Sequence, residues 1–331
     1  MNKILSIVVP SYNAEPYLLE TIPTMLSVTN LDKLEIIIVN DGSTDNTLYI
    51  AEQLKNEYPE TIIVIDKENG GHGSTINTGI QYATGKYFKV VDADDWVDTA
   101  NLSSLIEYLV TCDDDEVISP FIKVYLDTAK EEIYTYSVSQ SRKSYPYDVF
   151  LSEIQELPKM HAITIKTSIL RENKIQIDEN CFYVDLEYNT FPMPYIKTAS
   201  YYDKIVYRYR LGSPTQSVSM DSYIRNVKMH ERVIFALLKF LKQFDKASQI
   251  EKKLLTELIG DVITTHSNIY LAMNDTKLAK KEFLTFENKV RLDYPTLFNS
   301  PRGKKIRLLR GSRYHLFSLL GKIYRGKIEQ S

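Results

Sequence analysis

With 331 residues, 44% of them apolar, the chain has material for one large folded domain with an extension or for two domains. Two cysteines, Cys112 and Cys181, cannot build a disulfide framework at this size and read as reduced thiols of a cytoplasmic protein; no segment has the apolar length that spans a bilayer. The net charge of −3 is unevenly spread: residues 301–331 hold nine Lys/Arg against Glu329 alone, and taking that +8 from the total leaves −11 for residues 1–300.

The amino terminus, Met1-Asn2-Lys3, leads into an apolar stretch that stops at Pro10 without a small-residue cleavage site, so it reads as a first strand and not as a signal peptide. Ser6-Ile7-Val8-Val9-Pro10 is that strand. Ser11-Tyr12-Asn13 follows, then a helix opening near Pro16, where a missing N–H costs nothing. Glu35-Ile36-Ile37-Ile38-Val39 predicts a second strand, Asn40-Asp41-Gly42-Ser43-Thr44-Asp45 its loop, and a helix to about Tyr58 completes the unit. Residues 61–65 predict a third strand, followed by the glycine-rich Asn69-Gly70-Gly71-His72-Gly73-Ser74 and a helix to about Ala83. Tyr87-Phe88-Lys89-Val90-Val91 predicts a fourth, which ends in Asp92-Ala93-Asp94-Asp95. β-Branched runs alternating with helices predict an α/β fold with a mostly parallel sheet flanked by helices. Ligands of such sheets bind beyond the carboxyl ends of the strands, where loops 11–13, 40–45, 69–74 and 92–95 all fall.

If strand alternation continues through the carboxylates, Asp92 and Asp94 point one way and Asp95 the other. Two carboxylates in one small site repel unless a cation or a proton joins them, and hard divalent ions accept carboxylates together with a substrate phosphate. This is a candidate metal–phosphate site. Other phosphate and metal motifs do not fit: Ile76 stands where a dinucleotide fingerprint needs its third glycine, the stretch 79–86 has one residue too many for a Walker loop, and Trp96 and Val97 break an EF-hand.

Ser6-Ile7-Val8-Val9-Pro10-Ser11-Tyr12-Asn13, Ile38-Val39-Asn40-Asp41-Gly42-Ser43-Thr44-Asp45, residues 69–79 and Val91-Asp92-Ala93-Asp94-Asp95 together resemble glycosyltransferase family 2, across about 95 residues and more weakly to Gln216-Ser217-Val218-Ser219. The resemblance implies the GT-A fold, a nucleoside-diphosphate sugar donor, taken as a UDP-sugar, and Mn²⁺ or Mg²⁺. It makes Asp94 the carboxylate closest to the metal, with Asp92 on the ribose or a metal-bound water and Ala93 between them. Asp41 matches the acid that hydrogen-bonds the base, and Pro10, Tyr12 and Asn13 the first wall of the nucleotide pocket. Asn69 and Gly71 belong to the donor loop. On local sequence alone, Asp41 reads as a turn or helix cap with Ser43 and Thr44, and its place beside the other loops favours the ligand. Asp185, in Phe182-Tyr183-Val184-Asp185-Leu186-Glu187-Tyr188, matches the base that deprotonates the acceptor hydroxyl. Val184 replaces the usual glutamate, and Glu187 is the competing base; a capping role for Asp185 also suits the local sequence. Arg210 matches a Tyr-Arg that grips the diphosphate ahead of a mobile loop at Leu211-Gly212-Ser213-Pro214, the alternative being a solvated arginine on an edge strand. One departure stands out: Ile76-Asn77 occupies the place of an Arg-Asn pair that helps hold the nucleotide.

Three single residues carry two readings each. His72 lies near the expected phosphates or is a solvated loop histidine; Trp96 stacks on an acceptor sugar or belongs to the core; His161 lines the acceptor side or is a satisfied core histidine. The acidic run 113–116 reads as a solvated helix end.

The expected organisation is a catalytic domain over 1–220 (nucleotide-sugar half 1–100, acceptor half 119–220), three or four helices over 221–300, and a basic amphipathic tail over 301–331. In that tail Leu309, Leu316, Phe317, Leu320, Ile323 and Tyr324 form an apolar stripe flanked by Arg310, Arg313, Lys322 and Arg325, interrupted by Gly311 and Gly321. The pattern suits an anionic membrane surface over residues 302–327, or a helix docked on the acidic body; no nucleic-acid signature accompanies it. The sequence thus predicts an inverting, metal-dependent glycosyltransferase acting on a carbohydrate or lipid-linked oligosaccharide at the cytoplasmic face of the membrane. A sugar nucleotidyltransferase competes but lacks its basic glycine-rich first loop, and Val184 and Ile76 leave room for a non-catalytic protein of the same fold, either sugar-nucleotide-binding or a scaffold.

Overall fold

β1 (Leu5–Ser11) and β2 (Leu34–Asp41) are buried at every position, as unbroken apolar runs must be when helices cover both faces of a parallel sheet. The computed structural model describes residues 2–212, 219–299 and 302–328, which form two compact units, Met1–Ser213 and Pro214–Ser331. The first unit continues with α1 (Glu15–Leu26), α2 (Thr47–Glu57), β3 (Ile62–Lys67), α3 (His72–Tyr82), β4 (Tyr87–Val90), β5 (Trp96–Val97), α4 (Thr99–Thr111), β6 (Glu116–Ile118), β7 (Phe121–Tyr125), β8 (Lys130–Tyr134), β9 (Tyr145–Pro146), α5 (Tyr147–Ile154), β10 (Ile163–Lys166), α6 (Thr167–Glu172), α7 (Asp185–Thr190), β11 (Thr198–Tyr201) and β12 (Tyr207–Leu211).

Eight strands make the main sheet in the order β3-β2-β1-β4-β10-β6-β11-β9. The first four are mutually parallel, β10 runs antiparallel to β4 and β6, and β11 is parallel to β6. After moving outward from β1 to β3, the chain returns to the other side of β1 as β4. That reversal opens a crevice at the carboxyl ends of β1 and β4, the usual ligand position in an open α/β sheet. A smaller sheet, β5-β12-β7-β8, flanks β12 with β5 only at Tyr207 and Arg208; at Arg210 the side of β12 away from β7 is covered by Asp95, whose carboxylate accepts from Arg210 N.

The acidic run 113–116 is not a solvated helix end. α4 stops at Thr111, Asp114 is 6% exposed and accepts a hydrogen bond from Ser144, and Glu116 lies inside β6 at 2% exposure, where burial pushes its carboxyl up to about 8. The segment feeds a strand into the middle of the sheet, a placement set by β10 and β11 on either side.

The second unit comprises α8 (Met220–Arg225), α9 (Val227–Gln243), α10 (Gln249–Ala272), α11 (Thr276–Asp293), α12 (Pro295–Asn299), α13 (Lys304–Gly311) and α14 (Phe317–Ile328). Before the tail it holds five helices among the described residues, against three or four expected, because α8 and α12 are single short turns of chain. Ser248 and Glu251 form a reciprocal capping box that starts α10. None of these helices is long and apolar enough to cross a membrane.

His230 on α9 and His266 on α10 stack ring on ring, 5.1 Å between centroids and 3° from parallel, inside this unit. Burial pushes His230 down to about 4, and burial with His230 and Lys228 nearby holds His266 well below its ordinary value. A base whose folded pKa is depressed binds more protons unfolded, so its stabilisation is complete above the unfolded value of about 6.5 and is lost as pH falls toward 4. For His230 alone the loss should reach roughly 3 kcal/mol at pH 4. Urea unfolding of the helical signal from pH 7 to 4.5 should track it, and a His230→Phe/His266→Phe variant that kept the same slope would exclude the pair as its cause.

Candidate active site

β4 stops at Val90, and Asp95 N donates to Asp92 O at 3.0 Å, so residues 92–95 form a turn and not a prolonged strand. The alternation expected for the three carboxylates therefore fails. Ligand atoms of Asp92, Asp95 and His161 lie within 4.8 Å of one another, with Asp94 on the same turn but outside that group. Asp95 is fully buried, accepting from the Tyr207 hydroxyl and, at 2.7 Å, from Arg210 N. Burial, then Asp94 and Asp92, raises its carboxyl well above the usual range. Burial and the neighbouring Asp92 push Asp94 up to about 6. Burial works the same way on Asp92, but His72 Nε2, 2.8 Å from its Oδ1, outweighs it and holds that carboxylate low.

Asp94 and Asp95, both raised beside a charged Asp92, form with it a site short of positive charge. His161 supplies a nitrogen: burial pushes the imidazole down to about 4, and its buried Nδ1 has no hydrogen-bond partner among the described residues. The half-buried ring packs against Phe121, Tyr207 and Tyr209, and with Nδ1 unpartnered it is not the satisfied core histidine of the alternative reading. Lys89, fully buried in β4 and pushed down to about 7 by burial, pins the backbone here by donating to His161 O at 2.8 Å and Ile163 O at 3.1 Å. Carboxylates joined by one neutral imidazole fit a divalent ion such as Mn²⁺ or Mg²⁺.

The nucleotide-side loops are locked to each other. Asn13, in the left-handed region at φ 49°, takes Thr44 N on its Oδ1 at 2.9 Å, while its own N–H donates to Ser43 Oγ at 2.9 Å. Pro10 is buried within β1, whereas Tyr12 is 56% exposed at the rim. Asp41 closes β2 at 2% exposure. Its carboxylate accepts from Gly70 N (2.9 Å), Gly71 N (2.8 Å) and Lys67 Nζ (2.9 Å), so it braces the glycine loop and caps neither its own turn nor α2. Asn69 Nδ2 adds a bond to Asp41 O at 2.9 Å. Gly71, at φ +81°, starts α3 in a conformation that disfavours a side chain, and a Cβ on Gly73 would stand 2.1 Å from Asp178 O.

That last contact joins the glycine loop to the segment carrying the candidate base. Asn77, kept beside the missing arginine, donates to Ile177 O at 2.8 Å and accepts from Ile177 N at 2.9 Å. Asn180 N bonds Gly70 O, and Asn180 and Tyr183 both take positive φ, 52° and 68°. Asp185 opens α7 close enough to His72 and Asp92 to feel both charges; burial first, then Asp92, raises its carboxyl against the opposing His72. Glu187 is fully buried, its Oε2 taking Asp178 N at 2.8 Å. The two acids of α7 are thus separated, one toward the carboxylate turn and one into the supporting loop.

Residues 6–175 match the family model described as glycosyl transferase family 2. The chain belongs to that family. A 108-residue stretch is 33% identical to the minor teichoic acid biosynthesis protein GgaB of Bacillus subtilis, covering 32% of this chain and 12% of that protein, so the chain spans only a small part of that relative. Residues 1–349 of S. aureus TarS in complex with UDP-GlcNAc share the fold with a TM-score of 0.64 at 18% identity, over 99% of this chain and 91% of that one. The mannosyltransferase PcManGT from Pyrobaculum calidifontis, in complex with GDP-Man and Mn2+, shares it at 0.54 and 15% identity, over 98% and 87%. The GT-A architecture expected from the sequence is the one this family 2 chain adopts.

Of the expected site residues, Asp92, Ala93 and Asp94 share the turn after β4, Asp185 lies near enough to Asp92 to feel its charge, and Arg210 bonds Asp94 O. Pro10, Tyr12, Asn13, Asp41, Asn69 and Gly71 lie at the ends of β1 and β2 and in the glycine loop that Asp41 braces. Arg210 bonds Asp94 O and Glu20 (3.0 Å), with its guanidinium 5.0 Å from the Trp96 ring centroid and 5.3 Å from that of Tyr17. Trp96 thus has a cation on one face. Of the loop expected at 211–214 and the weak match at 216–219, residues 213–214 and 216–218 lie outside the described residues. Sequence reading missed Lys67 and Tyr207. Lys67 had a signal, since it stands directly opposite Asp41 in the β2–β3 register at the carboxyl edge; Tyr207 reaches Asp95 across 112 positions, which no local pattern encodes.

Proposed function

We propose that the chain is an inverting, metal-dependent glycosyltransferase that moves a sugar from a nucleoside-diphosphate sugar, taken as a UDP-sugar, to a carbohydrate or lipid-linked oligosaccharide acceptor in surface polysaccharide synthesis at the cytoplasmic face of the membrane. The observation that carries this reading is the meeting of Asp185 with His72 and the Asp92–Asp95 turn at one crevice, beside the glycine loop braced by Asp41. The teichoic-acid relative and the UDP-GlcNAc and Mn2+ complexes of proteins sharing the fold support the same choice of donor, ion and pathway class.

In this mechanism Asp185 takes the proton of the acceptor hydroxyl while that oxygen attacks the anomeric carbon from the face opposite the diphosphate. The carbon–oxygen bond to the diphosphate breaks, the nucleoside diphosphate leaves, and configuration inverts. Burial keeps Asp185 more basic than a solvated aspartate. Asp94 and Asp92, with His161 in reach, would hold a divalent ion, which when bound would supply Lewis-acid neutralisation of the leaving diphosphate. His72 holds Asp92 in place at the amino end of α3, and Asn13, Asp41 and Asn69 fix the loops that face the nucleotide.

The test is a panel of sugar nucleotides incubated with Mn²⁺ or Mg²⁺ and scored for released nucleotide, with nucleotide binding measured on the same samples. Turnover of one donor that stops on chelation is expected and names the sugar. A chain that binds no nucleotide, with metal or without, is not a transferase, and the scaffold reading replaces this one.

A further inference from the structure

The apolar stripe expected for a membrane is split in the tail helices, with Leu309 and Phe317 buried and Ile323 exposed. Ile306 and Leu309 of α13 and Phe317 and Gly321 of α14 are buried inside the helical unit. Arg310 pairs with Glu287 at 2.7 Å, and Arg325 donates to Leu271 O and Met273 O at the end of α10. The inner faces of both helices are thus consumed by packing on α10 and α11.

Their opposite faces carry a second pattern. On α13, Lys304, Arg307 and Leu308 recur at helical spacing; on α14, Leu319, Lys322, Ile323 and Lys327 do the same. Leu308 is 48%, Leu319 55% and Ile323 49% exposed. Residues 302–328 contain nine Lys/Arg and no Asp or Glu. Four of the nine are engaged: Arg302 with Glu257 and Asp261, Lys305 with Asn268, and Arg310 and Arg325 as above. Among the described residues no carboxylate pairs with Lys304, Arg307, Arg313, Lys322 or Lys327, all of them exposed.

We infer that the exposed faces of α13 and α14 dock on an anionic lipid bilayer. Large aliphatic side chains set among uncompensated cations suit the boundary between headgroups and acyl chains, where the cations meet lipid phosphates and the aliphatics enter below them. A nucleic acid fits less well, because no Tyr, Phe or Trp of 302–328 is exposed for base stacking. The surface extends the proposed reaction by bringing the crevice-bearing chain to where a lipid-carried acceptor resides. Vesicle binding is read without turnover, so failure here and failure of the transferase reading are separate results.

The experiment is co-sedimentation of the full chain with vesicles of phosphatidylcholine alone or of equimolar phosphatidylcholine and phosphatidylglycerol. Binding to the acidic vesicles only, weakening as salt is added, is expected. Lys322→Glu/Lys327→Glu should cut partitioning roughly tenfold or more, and Leu319→Ser/Ile323→Ser should also release the protein, with helical content by circular dichroism unchanged in both. A chain that stays in the supernatant with acidic vesicles overturns the inference. So does pelleting that neither double variant alters, or tighter binding to single-stranded RNA than to the vesicles.

Discussion

Asp94→Asn is expected to lower donor turnover by roughly 10³-fold while leaving the fold intact, since neutralising charge on a leaving diphosphate is worth several kcal/mol and each 1.36 kcal/mol is a factor of ten. The substitution removes one of the negative charges crowded onto the 92–95 turn, where burial and Asp92 have already pushed Asp94 up to about 6. Folding should tolerate it, and burial of the remaining carboxylates should become easier, so the thermal midpoint without metal should hold or rise. Metal affinity, measured by Mn²⁺ titration, should fall in parallel with turnover. Turnover that persists at the wild-type level with wild-type metal dependence would remove Asp94 from the site and leave Asp92, Asp95 and His161 as the ligand set.

Asp185→Asn should reduce transfer to acceptor by about 10²–10⁴-fold, the range that a positioned general base contributes. Nucleotide binding should stay within about twofold of wild type, because Asp41, Asn69 and the carboxylate turn are untouched. Glu187→Gln provides the contrast. Glu187 is fully buried and holds Asp178 N, whose neighbour Ile177 is clamped by Asn77, so this variant should lose thermal stability more than kcat. The reverse pattern, a silent Asp185→Asn beside an inactive but stable Glu187→Gln, would transfer the role of base to Glu187.

The amino-terminal strands were legible because their signal is local. Runs such as Ile36-Ile37-Ile38-Val39 have no polar alternation, and a residue's neighbours in sequence suffice to predict a strand buried on both faces. The third strand runs two residues beyond expectation, to Lys67, because its last residues pair with Asn40 and Asp41 across the sheet. The placement of candidate residues was legible where they sit at strand ends, since Asp41 and Asn13 reach the carboxyl edge of the sheet by chain order alone. Asp95 was misplaced for the converse reason. Alternation holds only while the backbone remains extended, and the hydrogen bond from Asp95 N to Asp92 O turns it.

By itself the sequence determined the order of the α/β elements, the parallel half of the sheet and the convergence of four polar loops on one edge. Each of these follows from local apolar period and from glycine and aspartate chemistry in short segments. Only the tertiary structure decided which side chains meet. It brought His161 to Asp92 and Asp95, set Tyr207 against Asp95, buried Glu116 in a central strand, and parted Asp185 from Glu187. It also turned Leu309 and Phe317 inward and left Leu308, Leu319 and Ile323 outside. Burial and partner choice are properties of segments distant in sequence, and a helix with apolar residues on more than one face cannot specify which face it buries until its neighbours are in place.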